Sequence, residues 1–196
     1  MRRTITLLAA TAALAAGITG SASAATLYTT SAHTTPVAVG TDFVARTVAS
    51  YYNIYYGPTF IDFCQPIYNF RVAQNSGGVF KANVLSRSFP CGVSGWVPGN
   101  TGALTISGSS TTVGSNKVWA GTSLTGTLTS GGATYTENFT GAGVSAQQPS
   151  AGGSPVSVVL NNAGTMTRPG LAGTLTVTGT YNVQTTGGVS APYSLG

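Results

Sequence analysis

The chain has 196 residues and a formal net charge of +5, with 6% charged and 42% hydrophobic residues. Its few basic residues are scattered, which argues against nucleic-acid binding, since that usually needs a dense basic face to displace counterions. One histidine, two cysteines and three acids leave little from which to assemble a metal or acid–base centre.

Residues 1–24 read as an export signal. Arg2 and Arg3 give a positive start, an apolar run extends from Ile5 to Ile18, and Ala22-Ser23-Ala24 supplies the small residues that a signal peptidase requires. The apolar run, about 14 residues, is too short to cross a ~30 Å hydrocarbon layer as a stable anchor. The first cysteine is Cys64, which argues against a lipid anchor at the cleavage site. No later stretch reaches ~18 continuous apolar residues, so no transmembrane segment is expected in the mature chain. The expected product is a single domain over 25–196, secreted to an extracellular or periplasmic space, and the signal has a bacterial character. It carries six Lys/Arg against three acids.

Composition shifts near residue 100. Residues 25–100 hold 13 of the 18 aromatics, both cysteines and six of the nine mature charges, whereas 120–196 is a Thr, Gly, Ser and Val background. Each half would make a small domain, and one domain with an aromatic, bridged side and a Thr-rich side is preferred. In an oxidising compartment Cys64 and Cys91 are expected to pair.

In chain order, Asp42–Tyr56 is ambiguous. Phe43, Val44, Thr47, Val48, Tyr51, Tyr52 and Tyr55 fall at helical spacing, but the β-branched and aromatic content favours strand. Phe60–Cys64, Ile67–Ala73 and Val79–Leu85 read as strands, the last two joined through Asn75–Gly78. Leu124–Ser130 and Ala133–Thr140 flank Gly131-Gly132, a hairpin signal. Val156–Leu160 and Thr165–Arg168 flank Asn161–Gly164, read as a turn. Thr174–Tyr181 alternates as a half-buried strand. Gly102–Gly108, Gly126–Gly131 and Gly173–Gly179 resemble one another at unequal spacings, which marks recurring strand chemistry and not a solenoid repeat. The expected fold is all-β, a single antiparallel sandwich or barrel-like domain with one disulfide.

Acid–base candidates are few. His33 lies near the mature terminus and reads as solvent-facing. Asp62 sits between Phe60-Ile61 and Phe63-Cys64, where burial raises a carboxyl pKa. With Glu137 it makes the candidate carboxylate pair of a glycosidase, since such enzymes hold two carboxyl groups about 5–10 Å apart. Glu137 alternates with Tyr135 and Phe139, which is ordinary for a solvated sheet face, and structural roles are favoured for both acids. Gly92-Val-Ser-Gly95 misses the Gly-x-Ser-x-Gly pattern by one position, and Gly141–Ala146 reads as a loop despite its superficial likeness to a dinucleotide fingerprint. No metal site, cofactor or catalytic residue is expected. Asn138-Phe-Thr140 fits a glycosylation acceptor, but no glycan is expected behind a bacterial signal.

The positive binding signal is Tyr51–Tyr56. Tyrosine offers a large contact area at low rotamer entropy. On a strand, Tyr51 and Tyr55 share one face, and Tyr52, Ile54 and Tyr56 the other. Tyr51, Tyr52, Tyr55, Tyr56 and Trp96 are the candidate ligand-binding residues, weighed against core packing; Trp119 carries the same ambiguity. The leading expectation is a non-catalytic exported β-protein of the bacterial cell envelope or extracellular space, structural or adhesive. Sparse charge on β-prone strands also raises self-association. The alternatives are a binding module for a glycan, lipid or other apolar ligand, and a secreted hydrolase or enzyme inhibitor.

Overall fold

The computed structural model describes residues 25–47, 51–92, 95–149, 156–167, 175–187 and 193–196; the stretch 1–24, read above as an export signal, lies outside them, as do Val93-Ser94 and Arg168. The described elements are all strands. In chain order they are β1 (Leu27–Tyr28), β2 (Asp42–Thr47), β3 (Tyr52–Tyr56), β4 (Thr59–Cys64), β5 (Ile67–Ser76), β6 (Val79–Ser88), β7 (Val97–Pro98) and β8 (Ala103–Ser107). There follow β9 (Thr111–Val113), β10 (Asn116–Trp119), β11 (Gly121–Ser130), β12 (Ala133–Phe139), β13 (Val144–Pro149), β14 (Ser157–Thr167), β15 (Leu175–Thr185) and β16 (Ser194–Leu195). No described helix is long and apolar enough to cross a membrane.

The pairing closes a ring. β2 pairs with β5, β5 with β6, β6 with β8, β8 with β11 and β11 with β12, always antiparallel. β12 pairs with β14, β14 with β15, and β15 returns to β2. The order around this ring is the order in the chain, so the eight strands form an up-and-down barrel. β3 follows β2 along the same side of β15, with Thr47 opposite Tyr181 and Asn53 opposite Thr178. The β3–β4 hairpin thus extends the β2–β5 hairpin beyond the ring. β13, β10 and β9 form a side sheet on β14, and β1 pairs with β16.

Local sequence explains most of these strands. Along β11, Thr122, Leu124, Gly126 and Leu128 face inward while Ser123, Thr125, Thr127 and Thr129 face outward. β15 repeats the pattern, with Leu175, Val177 and Tyr181 inside and Thr176, Thr178, Thr180 and Asn182 outside. The outer wall is therefore rich in hydroxyls and the interior apolar, the reverse of a barrel built to face lipid. Gly131 and Gly132 turn β11 into β12 with φ of 56° and 77°, conformations in which a Cβ is strained.

The described part of Asp42–Tyr56 forms two strands, β2 and β3, with Tyr51 immediately before β3, and contains no helix. Three expectations are corrected. Asn161–Gly164 is not a turn: β14 runs through it with a register shift between Leu160 and Gly164, and both halves pair with β15. Such a shift adds residues to one strand without reversing it. Gly141–Ala146 is a loop only at its start, because Val144 and Ala146 are buried in β13. Glu137 does not lie on a solvated face; it points into the barrel with Phe139.

The barrel is packed shut. Phe43, Tyr68, Phe70, Phe80, Leu104, Leu124, Leu128, Phe139, Val177 and Tyr181 fill it. The cavity found among these residues, bordered by Ala45, Tyr68 and Leu124, is about 10 Å³, room for one water. Cys64 and Cys91 form the expected disulfide. It ties the end of β4 to the segment after β6, where the Gln65 amide donates to Pro90 O at 2.8 Å and the Gly92 amide to Phe63 O at 2.9 Å.

Candidate functional site

Ionisable groups lie both inside and outside the barrel, and their environments assign them different roles. Inside, Arg87 and Glu137 form a buried ion pair. The Arg87 guanidinium also donates to Thr127 O, and its Nε–H donates to Gly99 O at 2.9 Å. It lies over the Tyr68 ring, 5.3 Å from the centroid. The Tyr52 hydroxyl donates to Glu137 Oε1 at 3.1 Å. Burial pushes the Glu137 carboxyl up, against the pull of Arg87 and the Tyr52 hydrogen bond. Burial alone would lower Arg87, but Tyr68 and Glu137 outweigh it and hold the guanidinium charge. The Tyr68 and Tyr181 hydroxyls are close enough to influence each other's ionisation, yet they stand outside hydrogen-bond geometry. The Arg87–Glu137 pair is enclosed, and its hydrogen bonds run to each other, to the Gly99 and Thr127 carbonyls and to the Tyr52 hydroxyl. That is the chemistry of a structural network, not of a reacting centre.

Two β-bulges decide which side chains face which way. In β6, Asn69 is opposite Ser86 and Phe70 is opposite Val84, so Leu85 is an extra residue. Inward positions switch there from Phe80, Ala82 and Val84 to Arg87. In β4, Ile54 is opposite Asp62 and Tyr55 is opposite Phe60, so Ile61 is the extra residue. Regular alternation from Asp62 would turn Phe60 inward. The bulge instead places Phe60 on the outer face with Phe63.

The outer face of the β3–β4 hairpin is consequently aromatic. Tyr51 meets Phe63 edge-on at 4.9 Å, Tyr55 meets Phe60 edge-on at 5.7 Å, and Phe60 lies nearly parallel to Phe63 at 6.5 Å. Tyr51, Phe60 and Phe63 are 48%, 49% and 38% exposed. A cleft lined by Tyr51, Phe63, Gln65, Pro90 and Gly92 opens over the disulfide, and another lies between Tyr55, Gly57, Pro58 and the outward threonines of β15. The hairpin's acid, Asp62, is buried beneath this face. It accepts from Trp96 Nε1 at 3.2 Å and from the Phe63 amide at 2.8 Å.

The structure divides the predicted site. Tyr51 and Tyr55 share the outer face, as the alternation implied, and Tyr56 is exposed at the strand end. Tyr52 and Trp96 are withdrawn from the surface. Tyr52 is fully buried against Glu137, and Trp96 is buried against Asp62 and Tyr135, with ring centroids 5.1 Å apart for the latter pair. Trp119 is also core. His33 is partly buried and stacked on Tyr28 at 4.9 Å, not freely solvated. Phe60 and Phe63 were not among the candidates; alternation from Asp62 already turns Phe63 outward, but it does not reveal the inserted Ile61 that brings Phe60 beside it.

Asp62, Cys64 and Cys91 bring ligand atoms within 4.8 Å of one another, but both sulfurs are joined in the disulfide and Asp62 is hydrogen-bonded to Trp96. Metals are bound through thiolates, so this group does not form a metal centre in its oxidised state. Compared with known proteins, the chain matches no family model, no curated protein and no solved structure.

Proposed function

We propose that the chain is a non-catalytic exported β-barrel protein that works by adhesion, with the outer aromatic face of the β3–β4 hairpin as its contact surface. One observation carries this function. Tyr51, Tyr55, Phe60 and Phe63 stand together on the outside of a barrel whose own interior is filled. Grouped exposed aromatic surface marks a binding site, since isolated exposed residues would not gather at ring-contact distances. The two acids of the glycosidase hypothesis support a non-catalytic role. Glu137 is paired inside with Arg87, and Asp62 is buried under Trp96.

The test is a binding screen of the mature chain against insoluble polysaccharides, lipid vesicles and protein-coated surfaces. A variant carrying Tyr51→Ala and Phe60→Ala serves as the control. Retention of the wild-type chain on one of these surfaces, lost in the folded variant, is the expected result. Equal retention of both chains, or no retention on any surface, would sink the proposal.

A further inference from the structure

Resting on the adhesive function proposed above, we infer that the ligand is an uncharged polysaccharide chain lying along the outside of β15, stacked on aromatic rings at one end and hydrogen-bonded by amides at the other. Two clefts border this strand. The first is lined by Tyr55, Gly57, Pro58, Thr176 and Thr178. The second takes in Thr180, Val159, Ser157, Gln147 and Asn116. Thr178 and Thr180 are successive outward positions on β15, so the clefts follow one another along the strand.

The second cleft gathers side-chain amides and hydroxyls from four strands, β15, β14, β13 and β10, with Asn182 beside it on β15. Asn182 is opposite Ser157, and Ser157 is opposite Gln147. The Ser157 hydroxyl donates to Asn182 Oδ1 at 2.7 Å, and Asn116 Nδ2 donates to Gln147 Oε1 at 3.5 Å. Asn and Gln side chains each offer donors and an acceptor, the complement of a sugar hydroxyl. Thr176 to Asn182 spans about 20 Å at the rise of an extended strand, long enough for several sugar units.

Charge selects among polymers. No residue lining either cleft is charged. The charged side chain in register beside this row is Arg46, opposite Asn182 on β2. An anionic polymer would find no cationic row here, and a lipid surface would find hydroxyls and amides over most of the strand. Rings that stack, followed by amides that pair with hydroxyls, match a neutral glycan.

The experiment measures affinities for neutral gluco- and chito-oligosaccharides of two and six units, at low and high salt. It compares the wild-type chain, an aromatic variant (Tyr55→Ala with Phe60→Ala) and an amide variant (Asn116→Ala with Gln147→Ala). Melting curves establish that each variant is folded. The aromatic variant is expected to lose both ligand lengths. The amide variant should lose about tenfold in affinity for six units, the scale of two net hydrogen bonds, and keep its affinity for two. Salt should leave every value unchanged. If the amide variant binds six units like the wild type, the β15 track falls while the hairpin function stands. Binding that weakens steeply with salt would overturn the neutral ligand. Binding untouched by the aromatic variant would overturn the adhesive function itself.

Discussion

Arg87 reaches Glu137 across the barrel interior because Leu85 is bulged out of β6. Without that extra residue Arg87 would share the outward face of Lys81 and Asn83, and Glu137 would face the core with no cation. Taking one member from a buried pair strands the other, which typically costs about 3–5 kcal/mol. Glu137→Gln and Arg87→Met are each expected to lower unfolding free energy by that order. The double change Arg87→Met with Glu137→Leu should recover much of the loss. Urea titration of the three variants measures this.

Gly126 faces inward on β11 beside the pair. A Cβ at this position would stand 2.5 Å from Glu137 Oε2 and 2.6 Å from Arg87 Nη1. Both groups are held by other hydrogen bonds and have little room to retreat. Gly126→Ala is therefore expected to destabilise by about 1–3 kcal/mol, the range of overpacking in a filled core. An unchanged denaturation midpoint would show that the pair moves freely.

The Cys64–Cys91 bridge has a sequence separation of 27. On the loop-entropy model, closing such a loop stabilises the fold by about 3.5 kcal/mol. Changing both cysteines to serine should lower the melting temperature and loosen the β3–β4 hairpin first, since Gln65 and Gly92 meet their partners beside the bridge. Hydrogen exchange at the β4 amides would report that loosening.

Tyr51 and Tyr52 are neighbours with opposite environments, one 48% exposed and the other fully buried. Tyr51→Ala and Phe60→Ala should change stability by no more than about 0.5 kcal/mol, as surface substitutions do. Tyr52→Ala removes a core ring and the hydrogen bond to Glu137, and should cost about 3–5 kcal/mol. Parallel melts of these variants separate surface from core.

His33 is held below the ordinary imidazole value, first by burial and then by the positive charge of Lys117. Between its folded pKa and about 6.5 the unfolded chain binds more protons than the folded one, so stability rises with pH through that window. His33 should thus contribute a loss of stability on acidification below about 6.5, removed by His33→Gln. It is the chain's one histidine, so its imidazole resonance can be titrated without assignment.

Much of the fold was legible because strand and turn chemistry is local. Leu175, Val177 and Tyr181 alternate with threonines, and Gly131-Gly132 accept the positive φ of a tight turn. The same alternation put Tyr51 and Tyr55 on one face and Tyr52 on the other. The aromatic site was only half legible. Phe60 joins Phe63 through the bulge at Ile61, and that bulge exists only in the pairing of β4 with β3. Glu137 looked solvated because its strand gave no sign that β12 faces Arg87 across a closed ring.

The amino-acid sequence by itself determined an all-β chain, a disulfide between its two cysteines and the alternation that divides wall from core. The tertiary structure alone decided that the strands close into a barrel, that Arg87 and Glu137 meet inside it, and that β15 links an aromatic cleft to an amide one. The physical reason is range. A period of two is written in neighbouring residues, whereas register shifts, ring closure and the meeting of faces depend on which distant strands pair.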